Sequence, residues 1–120
     1  DKARTACTHM MRGIIMAESA GITVGWGTDF DRENFDKYVG LEFTARGEIG
    51  IANETILRQA TINSAKIVGL EDKLGTIKCG KYADLAIMAG KPDEDLSTMK
   101  QLPLYVFKEG VCVEGTALKK

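Results

Sequence analysis

The sequence is short of histidine, has no paired cysteines and shows no excess of one charge, and each shortage closes off a class of function. His9 is its one histidine, whereas a catalytic zinc site takes about three protein ligands. Cys7, Cys79 and Cys112 are an odd set without CxxC spacing, which outlines neither a disulfide framework nor a structural zinc site. That usage leads us to expect a reduced, cytoplasmic setting. No apolar run approaches the roughly 18–20 residues that span a bilayer. The opening residues alternate charge with small polar groups and do not read as a signal peptide. Basic and acidic residues number 16 and 17 and are interspersed, so there is no footprint for nucleic acid or an anionic membrane. Lys81 follows Gly80, but no GxxxxGK[ST] run surrounds it; it reads as an exposed turn lysine rather than part of a phosphate loop. The chain also begins Asp1-Lys2-Ala3 without an initiator methionine, which leaves a cut end, a processed end or an expression boundary open.

What is present is an ordinary globular composition. Apolar residues make up 44% and charged residues 28% of 120 positions, which argues against disorder. A chain of this length makes one modest domain and can bury roughly two-thirds of its unfolded surface. Residues 2–20 read as an amphipathic helix, with Ala3, Ala6, Cys7, Met10, Ile14 and Ala17 at spacings of three and four. Gly21 stands where such a helix commonly ends. Ile22-Thr23-Val24-Gly25-Trp26-Gly27 follows, short and nearly all apolar, as in a strand covered on both faces of a parallel sheet. A helix, a tight glycine turn and a buried strand make half of a βαβ repeat.

Past Thr28-Asp29 a polar stretch leads to a second helical pattern through Phe35, Tyr38, Val39, Glu42 and Phe43, weakened by Gly40. Residues 47–52 read as a connection. Asn53 is a candidate N-cap with Glu54 in the first turn, opening a helix whose buried stripe runs Ile56, Leu57, Ala60, Ser64, Ile67, Val68 and which Gly69 ends. The period then changes. Gly75–Lys78 and Leu85–Met88 are strand candidates around the turn Cys79-Gly80-Lys81, and Leu104–Phe107 and Val111–Val113 flank Lys108-Glu109-Gly110, a hairpin signal. The organisation is α/β for the first 70 residues and mostly β thereafter, with no internal repeat.

Three stretches, in order and at their spacing, resemble the C-terminal third of the amidohydrolase superfamily, nearest its imidazolonepropionase-like and prolidase-like branches. Residues 20–29, ending Gly27-Thr28-Asp29, are similar to the eighth barrel strand. Residues 60–70, Ala-Thr-Ile-Asn-Ser-Ala-Lys-Ile-Val-Gly-Leu, are similar to the last barrel helix. Residues 75–85, Gly-Thr-Ile-Lys-Cys-Gly-Lys-Tyr-Ala-Asp-Leu, are similar to the return into a small β-sandwich. The resemblance implies that residues 1–70 are the last helix–strand–helix of a (β/α)₈ TIM barrel, and residues 71–120 the C-terminal strands of a β-sandwich. It implies a cytoplasmic, metal-dependent hydrolase of carbon–nitrogen bonds acting on a small amide, cyclic amide or dipeptide.

In that family an aspartate at the position of Asp29 contacts the catalytic metal and takes a proton from the attacking water. A carboxylate suits both tasks, being a hard oxygen ligand that stays ionised beside a cation. Barrel chemistry sits at the carboxyl ends of the strands, where Asp29 falls. On spacing alone, a helix or turn cap remains the competing reading for Asp29. The resemblance implies one or two zinc ions in the intact parent, held mostly by upstream histidines, and none in the isolated fragment, which is expected to be inactive. His9 reads as a surface or helix-packing residue. Asp84 reads as an acceptor of backbone N–H bonds in a turn rather than a second catalytic acid, and the orientation of Trp26 stays open. A free-standing binding or oligomerisation domain is one alternative, and a deaminase of the same superfamily another. The isolated piece is expected to self-associate or to bind the missing N-terminal part, since its strands lack neighbours.

Overall fold

The computed structural model of the chain describes residues 12–29, 31, 33–34, 38 and 40–115. Helix α1 occupies residues 12–19; the rest of the expected 2–20 helix, with Cys7 and His9, lies outside the described residues. Its C-terminus closes as expected, with Gly21 at φ +72° and hydrogen bonds from Gly21 N to Glu18 O and from Ile22 N to Ala17 O. Helix α2 is Leu41–Glu48. The second helical pattern therefore runs further than its spacing suggested: Gly47 and Glu48 belong to the helix, and only residues 49–52 connect it to the next. Residues 33–34 and 38 are helical too, and Gly40 forms a turn between them and α2, so the pattern is interrupted there; Phe35 and Val39 lie outside the described residues.

Helix α3 is continuous over 53–67. It is α-helical over Asn53–Arg58, makes a π turn over Gln59–Asn63 and returns to α over Ser64–Ile67. Gly69 ends it at φ +69°. Asn53 is not its N-cap. Ala52 holds that position without a side-chain bond, and Asn53 instead donates from Nδ2 to the Asp93 and Glu94 carbonyls at 3.0 and 3.3 Å. The predicted stripe is only half buried. Ile56 is fully enclosed, but Ile67 and Val68 are exposed, while Gln59 and Ala65 are buried instead. A π turn holds one more residue than an α turn, so a stripe counted at 3.6 residues per turn drifts off the buried face beyond it.

The apolar core is small. Phe43 of α2, Ile56 of α3 and Leu96 of a 3₁₀ helix, Leu96–Lys100, form its centre, with Trp26, Ile51, Leu57, Ala60 and Met99 packed around them. Asp95 opens the 3₁₀ helix by accepting from Ser97 N at 2.8 Å.

Beyond α3 the chain builds a three-stranded antiparallel sheet in the order β1 (Leu85–Ile87), β2 (Tyr105–Lys108), β3 (Val111–Gly115). The β2–β3 hairpin lies where its sequence signal stood. Glu109 and Gly110 both adopt positive φ, +50° and +83°, as a two-residue turn of the mirror-image type requires. Pairing passes from Val106–Glu114 to Phe107–Cys112, so Val113 is the extra residue of a bulge. Gly75–Lys78, by contrast, forms no strand: the chain bends at Gly75 and Thr76 and runs irregularly through Ile77 and Lys78.

The described chain is thus a small α/β structure. Residues 22–29 run between α1 and the later helices without pairing into a sheet, and Ile22 is 61% exposed. The expected covered strand has no parallel neighbour among the described residues, and one backbone group each of Val24, Gly25 and Trp26 bonds to a side chain instead.

Candidate active site

Asp29 stands at the end of that unpaired segment. It is exposed and sits at φ +53°, a left-handed conformation that is uncommon for a non-glycine residue and tolerated best by Asn and Asp. No described residue donates a hydrogen bond to its carboxylate. The capping duty expected as its alternative role falls to Asp31, whose Oδ1 accepts from Asn34 N at 3.0 Å and from Asn34 Nδ2 at 2.8 Å.

The segment leading to Asp29 is held by side chains of α2 and α3. Asn63 Nδ2 donates to the Val24 carbonyl at 3.0 Å, Arg46 Nη1 to the Gly25 carbonyl at 3.1 Å, and Trp26 N to Ser64 Oγ at 3.0 Å. Gly25 permits this close approach, since a Cβ there would lie 2.6 Å from Ile67 Cδ1 and 3.3 Å from Ser64 Oγ. Trp26 turns toward the helices. Its ring lies 4.1 Å from that of Phe43, centroid to centroid, and the Arg46 guanidinium carbon is 4.5 Å from its centroid, within cation–π reach.

Arg46 and Gln59 went unremarked in the sequence, yet they are the buried polar residues of this region, at 5% and 0% exposure. Arg46 pairs with Glu42 one turn earlier on α2 and donates to Gln59 Oε1 at 2.5 Å; Gln59 Nε2 donates to Glu18 Oε1 of α1 at 2.7 Å. One hydrogen-bonded chain thereby joins three helices to the Gly25 backbone. The Glu42–Arg46 spacing was a faint signal, but i,i+4 ion pairs are commonly surface features.

The other candidates take structural roles. Asp84 accepts from Glu109 N at 2.7 Å and pairs with Lys108 Nζ at 2.5 Å. Its backbone donor thus comes from the β2–β3 turn rather than from its own. The Lys108 ammonium, followed by the Glu109 N–H, holds the Asp84 carboxyl below the ordinary aspartate value, and Asp84 correspondingly raises Lys108. Lys81 is not an exposed turn lysine: it is half-buried, and its ammonium donates to the carbonyls of Glu71 and Leu74. Cys79 and Cys112 are free and exposed. Among the described residues no group of three or more His, Cys, Asp or Glu side chains could hold a metal ion, and no helix is long and apolar enough to cross a membrane.

Comparison with known proteins places this geometry in a lineage. Residues 3–113 match the profile of the amidohydrolase family. The chain is 35% identical over 78 residues to the imidazolonepropionase of Thermoplasma acidophilum, covering 63% of this chain and 19% of that protein. It is 31% identical over 83 residues to a 5-methylthioadenosine/S-adenosylhomocysteine deaminase of Desulforudis audaxviator, covering 62% of this chain and 19% of that one. In structure it superposes on a prolidase solved with N-methylphosphonate-L-proline, with a TM-score of 0.80 at 31% identity, over 88% of this chain and 26% of the prolidase. The chain therefore spans about a fifth of these curated relatives and about a quarter of the solved enzyme. With its family profile running almost from end to end, the chain belongs to the amidohydrolase family.

Proposed function

We propose that the protein carrying this chain is a metal-dependent hydrolase of carbon–nitrogen bonds in small amides, cyclic amides or dipeptides, with Asp29 as its general base. In this reading residues 1–70 are the closing helix–strand–helix of a (β/α)₈ barrel and residues 71–120 belong to a small β-sandwich. The observation that carries it is the state of Asp29: an exposed carboxylate at the end of an apolar segment, in a left-handed backbone conformation, with the local capping done by Asp31. The relatives named as an imidazolonepropionase and a prolidase support the substrate class.

Asp29 suits a divalent cation, with zinc expected, as one anionic oxygen donor. The described residues supply no cluster to complete a site, so the remaining ligands of one or two ions belong to other parts of the protein. A cation bound there would supply the positive charge that acidifies water and polarises the scissile carbonyl. Asp29 removes a proton from the attacking water as its oxygen bonds to the amide carbon. It then delivers that proton to the nitrogen as the carbon–nitrogen bond breaks, leaving the carboxylate ionised for another cycle.

A second reading, hydrolytic deamination, is favoured by the relative named as a deaminase. It uses the same proton transfers and differs in releasing ammonia. A Xaa-Pro dipeptide, imidazolonepropionate and 5-methylthioadenosine, assayed for both amine and ammonia release, separate the two.

Asp29→Asn is the decisive variant. It keeps the size and a carbonyl oxygen and removes the charge and the basic site. Turnover per folded, metal-loaded molecule should fall by roughly 10²–10⁴-fold, while metal content by elemental analysis falls less. A capping residue would behave otherwise, losing about 0.5–2 kcal/mol of stability with the chemistry intact. Near-normal turnover in a less stable variant would remove Asp29 from the mechanism.

A further inference from the structure

Val24, Gly25 and Trp26 each have one backbone group tied to a side chain of α2 or α3. The three contacts, from Asn63, Arg46 and Ser64, lie between 3.0 and 3.1 Å. Backbone groups engaged in a sheet ladder point along the sheet toward the neighbouring strand. These point at helices. Among the described residues it is therefore the helix layer that ties the chain over residues 24–26, three residues short of Asp29, and each of these residues keeps a further backbone group free for a neighbouring strand.

Two of the anchors, Ser64 and Arg46, are themselves fixed. Ser64 Oγ donates to the Gln59 carbonyl at 2.7 Å, five residues back, across the π turn that spans Gln59–Asn63. The irregular turn thus supplies the partner that orients the hydroxyl accepting from Trp26 N. Arg46 is fixed by Glu42, Gln59 and the face of Trp26. Packing alone does not call for this arrangement, because burying polar side chains costs free energy that apolar residues of similar shape avoid. What hydrogen bonds add is direction.

We propose that Asn63, Ser64 and Arg46 are positioning residues: they lock the backbone of residues 24–26 and so set where the Asp29 carboxylate is presented. The proposal rests on the reading of Asp29 as the base; none of the three touches the reacting atoms. Asp29 has no hydrogen-bond donor among the described residues, so the backbone leading to it governs its placement. A misplacement of about 1 Å in a catalytic constellation costs roughly 10²-fold in rate.

The test uses the full-length, metal-loaded protein that carries this chain, with Ser64→Ala as the disrupting variant, Ser64→Thr as the conservative one and Asn63→Ala as an independent second site. Backbone amide exchange is followed over residues 22–29 and over α3, beside kcat and KM on the dipeptide, imidazolonepropionate and 5-methylthioadenosine. Loss of one hydrogen bond should speed exchange of the Trp26 amide and its neighbours through Asp29 by roughly tenfold in Ser64→Ala, with α3 still protected. In the same variant kcat should fall about tenfold or more while KM stays within about twofold. Ser64→Thr, which keeps the hydroxyl, should restore both, and Asn63→Ala should repeat the pattern of Ser64→Ala. Unchanged exchange over 22–29, a rate loss that only tracks the folded fraction, or a threonine variant no better than alanine would overturn the proposal. Full turnover in Asp29→Asn would remove the general-base reading by itself, while the exchange of residues 24–29 would still decide whether the helices hold the segment.

Discussion

Arg46 brings a charge to a place where 5% of its surface reaches solvent, and it does so with a partner for each face: Glu42, Gln59, the Gly25 carbonyl and the Trp26 ring. A buried ion pair gains little over well-packed apolar residues, but breaking one strands the partner. Arg46→Met would leave Glu42 without its cation and Gln59 Oε1 and the Gly25 carbonyl without a donor. Removal of one partner from a buried pair costs about 3–5 kcal/mol; Glu42, whose side chain keeps 19% exposure, recovers some hydration and brings the expected loss to the lower end. Denaturant melts of the full protein check this, and a double variant, Arg46→Met with Glu42→Leu, should lose less than Arg46→Met alone. If Arg46→Met melts at the wild-type midpoint, the buried network does not hold these helices together. This residue was not legible in the sequence. Glu42 and Arg46 at i,i+4 look like a solvated pair, and only the tertiary approach of α1, α3 and residues 25–26 gives them an inside. Asp29 stood out as a candidate because an apolar run stops at Gly-Thr-Asp, a local pattern that by itself leaves a capping role open.

At the scale of elements, the β2–β3 hairpin was readable because Gly110 and the flanking apolar residues encode a turn within a few positions. The π turn was not, because nothing in Gln59-Ala-Thr-Ile-Asn63 departs from helical composition; the burial of Gln59 and the exposure of Ile67 report it only in three dimensions. Gly75–Lys78 failed as a strand for a similar reason. A Cβ at Gly75 would lie 2.8 Å from Ile62 Cα, and its φ is +84°; the segment is pressed against α3 and turns there. The hairpin carries its own pH dependence. Asp84 is depressed by Lys108 and by the Glu109 N–H. Its contribution is therefore fully present above the ordinary aspartate value and fades as pH falls through the depressed one, below about pH 4. Lys108 is raised by Asp84, so its contribution is present below the ordinary lysine value and fades as pH rises through the raised one, above about pH 10. The effect is small because the pair is exposed. The Glu109 amide resonance should shift on the acid side in the wild type and hold still in Asp84→Asn, which keeps an acceptor oxygen but cannot titrate. An identical acid-side shift in that variant would assign the titration to another group.

For the whole molecule, the weight of the described apolar residues is on the outside. Phe43, Ile56, Ala65 and Leu96 are buried, while Ile22, Ile67, Val68, Val111 and Val113 are all more than half exposed. Strands β1 and β3 are sheet edges with no further ladder partner among the described residues, and exposed edges next to bare apolar faces recruit other chains. The change from helices before residue 70 to strands after it was legible, since helical and alternating periods differ; how few residues would find a core was not, because a periodic stripe records which face is apolar and not what covers it. Nothing in Ile22 to Gly27 distinguishes a strand with neighbours from one without, and the chain matches only about a quarter of the solved prolidase. The 120-residue chain on its own should therefore self-associate. Sedimentation at micromolar concentration should show a weight-average mass well above 13.1 kDa, rising with concentration, and heating should give a broad transition. Addition of the remaining part of the protein should replace this with a defined complex and a sharper melt. A compact monomer that melts cooperatively would instead favour a free-standing domain, because a chain that leaves Val111 and Val113 to water without penalty needs no other part of the protein to cover them.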